Sequence, residues 1–147
     1  MTNSENDLGS TITHQDLIDD LAFFDSWEDR YRYIIDLGKK LPAMPDELKT
    51  EDNFVHGCQS QVWIHGTYHE DTGRISFLVD SDTHIVRGLA AMVMAAFNQQ
   101  TPANILDFDI DSYFEQTDLI QHLSPTRGNG LKSMVKKIRH MAEQYAR

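Results

Sequence analysis

The chain contains one cysteine, Cys58, set in Val55-His56-Gly57-Cys58-Gln59-Ser60-Gln61. A thiol can act as nucleophile, metal ligand or redox partner, in each case as thiolate. The stretch lies between two segments that read as strands, which places it on a turn. Gly57 gives that turn backbone freedom, and the polar neighbours suit a loop tip better than a core slot. A lone cysteine is more often a buried structural thiol, but this position favours one that a partner can reach. With no second cysteine the chain cannot resolve a disulfide of its own, which excludes a thioredoxin-type cycle. His56, Cys58 and His65 give three donors at irregular spacing, unlike the usual zinc signatures. A cysteine hydrolase needs a histidine base oriented by a third group. Seven histidines are present, none in a recognisable local context. A hydrolase stays open as the alternative reading, as does a regulatory binding module whose cysteine is incidental.

Two other clusters carry polar groups that chemistry could use. Ser81-Asp82 precedes a long apolar helix and reads as its N-cap, with Arg87 in the first turns, solvated or paired to an acid. Ser124-Pro125-Thr126-Arg127-Gly128-Asn129-Gly130 is a turn-rich start to the last helix. A surface ion pair is the simplest physical reason for Arg127 there.

The elements that would position these residues follow from periodicity. Thr13-His14-Gln15-Asp16 forms a capping box, and Leu17, Leu21 and Phe24 continue at helical spacing, predicting a helix over 14–24. Ser26-Trp27-Glu28-Asp29 starts a second helix, whose face carries Trp27, Tyr31, Ile34, Ile35 and Gly38 and which Leu41-Pro42 stops. Alternation then takes over. Val62 and Ile64 fall on one face with Trp63 on the other, Glu70-Asp71-Thr72-Gly73 has turn chemistry, and Ile75, Phe77 and Val79 alternate again, which is a β-hairpin. Asn53–His56 reads as a short third strand. The segment 84–99 is apolar nearly all round, the mark of a buried central helix. Two short helices are expected within 102–122. In the last helix Leu131, Val135, Ile138, Ala142 and Tyr145 form an apolar stripe opposite Lys132, Lys136, Arg139 and Glu143.

Composition bounds the class. The 147 residues correspond to one domain, expected as a disordered arm over 1–11 followed by a single domain over 12–147. Thirteen Lys and Arg against 23 Asp and Glu give a net charge of −10, which argues against nucleic acid because phosphate contacts need clustered cations. No apolar run approaches the ~20 residues of a membrane span. The N-terminal residues lack the basic and apolar regions of a signal peptide, so a cytoplasmic location is expected. Helices, one small antiparallel sheet and helices again define an α+β domain.

Taken together, several runs become specific. Gly57-Cys58-Gln59-Ser60-Gln61-Val62-Trp63 resembles the cysteine loop of the SufE family, the sulfur acceptors of iron–sulfur cluster assembly. Trp27-Glu28-Asp29-Arg30-Tyr31 with Leu37-Gly38-Lys39-Lys40-Leu41-Pro42 resembles the family's second helix and its exit. Ser81-Asp82 with Ile85-Val86-Arg87-Gly88-Leu89 resembles the start of its central helix. His122-Leu123-Ser124-Pro125-Thr126-Arg127 with Gly130-Leu131 resembles its C-terminal motif. The matches run in order from about residue 23 to the end. Gln59-Ser60-Gln61 is closer to the SufE branch than to its CsdE paralogue, whereas Gly128-Asn129 departs from the Ser-Gln common before the final glycine.

The resemblance implies a sheet of about three strands packed against helices, similar to the IscU scaffolds. It implies that Cys58 takes a persulfide sulfur from a SufS-type cysteine desulfurase, stimulating it, and passes the sulfur to a SufB-type scaffold. The implied protein is a sulfur-transfer partner rather than a stand-alone enzyme. Gly57, Gln59, Ser60, Gln61, Trp63, Ser81, Asp82, Arg87 and Arg127 are its expected supporting residues. Pyridoxal phosphate belongs to the desulfurase, and no cofactor or metal is expected here. A homodimer is a further candidate assembly. Two expectations concern geometry. Asp82 and Arg127 should lie near the Cys58 loop despite their separation in sequence. Cys58 should be largely buried, sheltered by Trp63, Val62 and the central helix, because an exposed persulfide is easily reduced or oxidised.

Overall fold

The computed structural model describes residues 7–146. Helix α1 (His14–Phe23) begins on the capping box read from the sequence: the Thr13 hydroxyl accepts from the Asp16 amide, and the Asp16 carboxylate accepts from the Thr13 amide. Helix α2 (Trp27–Gly38) starts on Ser26, whose hydroxyl accepts from the Asp29 amide at 3.2 Å. The loop after Pro42 carries two single 3₁₀ turns, Asp46–Leu48 and Glu51–Asn53.

Strands β1 (Val62–His69) and β2 (Arg74–Ser81) pair antiparallel from Val62↔Ser81 to His69↔Arg74. Val62, Ile64, Ile75, Phe77 and Val79 face the core, as the alternation required. The expected third strand over 53–56 reduces to an isolated bridge between Phe54 and Trp63. Glu51–Asn53 is wound into a 3₁₀ turn, which leaves Asn53 in no extended conformation to pair. Among the described residues the sheet therefore has two strands.

Helix α3 (His84–Phe97) is the central element, buried at every position from Ile85 to Phe97 except Arg87. Its N-cap is Thr83, not Ser81 or Asp82, and Thr83 makes no side-chain capping bond. Asp82 is diverted to the loop that carries Cys58. Helices α4 (Pro102–Asp107) and α5 (Ile110–Gln116) are the two short helices expected between 102 and 122. A 3₁₀ turn, Ile120–His122, leads to α6 (Pro125–Tyr145), capped by the Ser124 hydroxyl. Leu131, Val135, Ile138 and Ala142 dock on the core. Tyr145 does not: it is 45% exposed and stacks on Tyr68 at 4.6 Å between ring centroids.

The expected arm over 1–11 falls partly outside the described residues. Its last part is built into the fold. Leu8 is fully buried, and its carbonyl accepts from the Asn98 side-chain amide at 2.8 Å, while Asn98 Oδ1 accepts from the Phe77 amide at 2.7 Å. Leu8, the Asn98 amide and the Gln100 side chain, which donates to the Gly9 carbonyl at 3.3 Å, together hold a segment whose composition reads as polar.

Candidate functional site

The loop 56–61 is pinched closed by the Val55 amide donating to the Val62 carbonyl at 2.8 Å. Within it Gly57 adopts φ +95°, a left-handed conformation that costs about 1–2 kcal/mol for an L side chain. A Cβ at 57 would also stand 2.6 Å from Ser133 Oγ on α6. The positive φ favours glycine, a side chain here would also displace the Ser133 hydroxyl, and the turn aims Cys58 at α6.

Two contacts decide where the thiol sits. Cys58 Sγ donates to the Gly130 carbonyl at 3.5 Å, and a side chain at Gly130 would come within 3.3 Å of the sulfur. The thiol is partly buried, and burial pushes its pKa above the ordinary thiol value because desolvation disfavours the charged form. It opens on a cavity of about 70 Å³. Val86, Leu89, Leu131 and Met134 supply the apolar wall, and Thr126 and Arg127 line it from the start of α6. Cys58 is therefore partly buried, and α3 and α6 do the sheltering. Of the groups expected to cover it, Val62 lies in the core. Trp63 points away from that core, edge-on to Phe54 at 6.0 Å with Lys49 Nζ 5.4 Å from its ring.

The expected supporting residues divide into two groups. Asp82 and Gln61 hold each other through two bonds: the Gln61 amide donates to Asp82 Oδ1 at 3.1 Å, and the Asp82 amide donates to the Gln61 carbonyl at 3.3 Å. Ser60 Oγ lies 3.2 Å from Thr83 Oγ1. The exit of the cysteine loop is thereby tied to the start of α3. Gln59 and Ser60 line the cavity with Cys58. Arg127 lines it too, held by a bond from Nη1 to the Tyr31 hydroxyl at 2.9 Å. The surface ion pair expected for Arg127 is thus replaced by a neutral phenol on α2.

Trp63, Ser81 and Arg87 belong to the second group, and none of them lines the cavity. Arg87 Nε faces Asp80 Oδ1 at 3.4 Å, and Lys49 approaches the other Asp80 oxygen at 3.2 Å. The Ser81 hydroxyl accepts from the Thr83 amide at 3.4 Å. These three brace the hairpin against α3 and the loop before β1. Tyr31, Thr83, Gly130 and Ser133 were missed by the sequence reading. Tyr31 falls on the apolar stripe of α2, and only the packing of α2 on α3 shows that its hydroxyl serves Arg127. A side chain at Gly128 would meet no atom within 4 Å, so no close contact demands glycine there.

His56 pairs with Glu51 at 2.8 Å, and His65 Nδ1 lies 3.5 Å from Asn53 Oδ1. No histidine lines the cavity at Cys58, so the residues beside the thiol offer no imidazole base. Among the described residues no group of three or more His, Cys, Asp or Glu could hold a metal ion. No helix among them is long and apolar enough to cross a membrane.

Residues 15–142 match the sequence model of the family described as SufE: Fe-S metabolism associated domain. The chain belongs to the SufE family. It is 48% identical over 129 residues to an uncharacterized SufE-like protein of Rhizobium meliloti, covering 86% of this chain and 92% of that protein. A second uncharacterized SufE-like protein, from Rhizobium etli, is 46% identical over 129 residues, covering 86% and 87%. The fold is shared with the solution structure of a hypothetical protein from Thermus thermophilus, at a TM-score of 0.74 and 16% identity over 90% of this chain and 95% of that one. SufE membership assigns the protein to sulfur transfer in iron–sulfur metabolism and implies a cysteine desulfurase as partner.

Proposed function

We propose that Cys58 accepts the terminal sulfur of a persulfide carried by a cysteine desulfurase and hands it to an iron–sulfur scaffold protein. The observation that carries this reading is a thiol at a loop tip, partly buried over a small cavity. In the acceptance step the Cys58 thiolate attacks the outer sulfur of the donor's Cys–S–SH. A new S–S bond forms at Cys58, the donor's S–S bond breaks, and the donor cysteine leaves as thiolate. The exchange is redox neutral and needs no cofactor on this chain. The second transfer repeats the same exchange with the acceptor's thiolate.

The cavity of about 70 Å³ exceeds the ~30 Å³ share of a water molecule in the liquid, which gives one additional sulfur atom room beneath the loop. Its apolar wall favours a neutral, protonated persulfide. Arg127 at its rim offers a positive charge to the thiolate as it forms. The raised pKa keeps the resting thiol protonated, so reaction requires the loop to move or the partner to supply polar groups. Such gating suits a carrier whose cargo must not be lost to solvent thiols.

The test is intact-mass spectrometry after incubation with a pyridoxal-phosphate desulfurase and L-cysteine. The expected result is a gain of one sulfur, reversed by dithiothreitol and absent in Cys58→Ser. Wild-type stimulation of the desulfurase by Cys58→Ser would overturn the carrier reading.

A further inference from the structure

Helix α6 carries a second feature, separate from the cysteine cavity. Of the 13 Lys and Arg in a chain of net charge −10, five lie on this helix, with Glu143 its one acid. Between α5 and the outer side of α6 runs an open cleft of about 620 Å³, a size typical of sites that hold ligands. Ile110, Phe114 and Val135 form its floor, and Lys132, Lys136 and His140 stand along one edge. Lys132 and Lys136 make no ion pair among the described residues, although acids outnumber cations nearly two to one.

Arg139 also lines the cleft. Nη2 donates to the Phe108 carbonyl at 2.7 Å, while its buried Nε has no hydrogen-bond partner. Asp111 and Glu143 are the opposing charges in the cleft. Glu143 lies 3.7 Å from His140, and neither acid forms an ion pair with Lys132 or Lys136 among the described residues.

We propose that the cleft between α5 and α6 is a docking surface for an acidic segment of a partner protein that carries apolar side chains at helical spacing. Two observations select this occupant. Lys132, Lys136 and Arg139 fall at i, i+4 and i+7 on α6, so the positive edge extends about 10 Å at 1.5 Å per residue. That is longer than one phosphate or carboxylate can bridge, and it matches an elongated chain of carboxylates. The apolar floor requires side chains that a bare polyanion lacks.

A short fluorescent peptide of glutamate and leucine, with the leucines at helical spacing, is the probe. Fluorescence anisotropy should report saturable binding that weakens with added salt and falls at least about tenfold in Lys132→Glu/Lys136→Glu. Lys132→Gln/Lys136→Gln should lie between the two, and circular dichroism should show all variants folded, since both lysines are exposed. Lys39→Glu/Lys40→Glu, at the end of α2 and outside the cleft, changes net charge equally and should leave binding intact. Four outcomes overturn the proposal: no binding by wild type, equal loss in the α2 control, equal binding of a peptide with serine for leucine, or a wild-type dimer that the α6 reversal dissociates. The last outcome would make a second copy of this chain the occupant.

Discussion

Cys58 is held in its protonated form by its surroundings. Burial raises its pKa, and its bond to the Gly130 carbonyl exists only while the sulfur carries its proton. Alkylation by iodoacetamide should therefore be slow at neutral pH, with a rate–pH midpoint above the ordinary thiol value. Unfolding in denaturant should return the midpoint to that value; a native midpoint at or below it would refute the shelter. The sign for stability follows. Below the unfolded thiol's pKa both states are protonated and the contribution is complete. It is lost as pH rises from there through the folded pKa, because the unfolded chain releases its proton first. The residue type and its glycine-led turn were legible in the sequence. The acceptor at Gly130, 72 positions away, was not, because a backbone carbonyl has no residue-type signature.

At the scale of elements, the crossing of α2 on α3 is what sets Tyr31 beneath Arg127. It is made by two glycines. A Cβ at Gly88 would stand 2.3 Å from the Ile34 carbonyl oxygen, and one at Gly38 would stand 2.7 Å from the Gly88 amide nitrogen. Helix propensity alone favours Gly88→Ala by about 1 kcal/mol. Overpacking costs about 1–3 kcal/mol, and more where backbone itself must move. The clash is with backbone, so Gly88→Ala should be destabilising, seen as a lower midpoint in urea unfolding with an unchanged slope. A gain in stability would show that the helices separate at little cost. Apolar periodicity located both helices to within about three residues, but a helical glycine reads as a weakness in the sequence until its neighbour is known.

For the whole molecule, Asn98 is the junction. Fully buried, it ties the Leu8 carbonyl and the Phe77 amide to the end of α3, joining the N-terminal segment, the sheet and the central helix. Asn98→Ala removes both bonds, and a buried polar group that loses its partner costs about 1–3 kcal/mol. Unfolding should shift by at least the lower figure, and hydrogen exchange should quicken at residues 8–12 before it does in α3. Protection that stays uniform would mean the segment is held by Leu8 and Gln100 alone.

By itself the sequence determined the periodic and chemical parts of this protein. It specified the α1 capping box, the two faces of the hairpin, the apolar central helix, the single thiol on a turn and the runs that mark the SufE family. These depend on residue type at short spacing, where 3.6- and 2-residue periods and cap geometry act locally. Tertiary structure alone decided what depends on distance. It committed Asp82 to the Gln61 backbone instead of to a helix cap, and it drew Arg127 to Tyr31 while sending Arg87 to Asp80. It turned Trp63 away from the thiol, walled the Cys58 cavity with α3 and α6, and buried Leu8. A polar side chain bonds to whichever partner the packed helices bring within about 3 Å, and residue type does not encode which partner that will be.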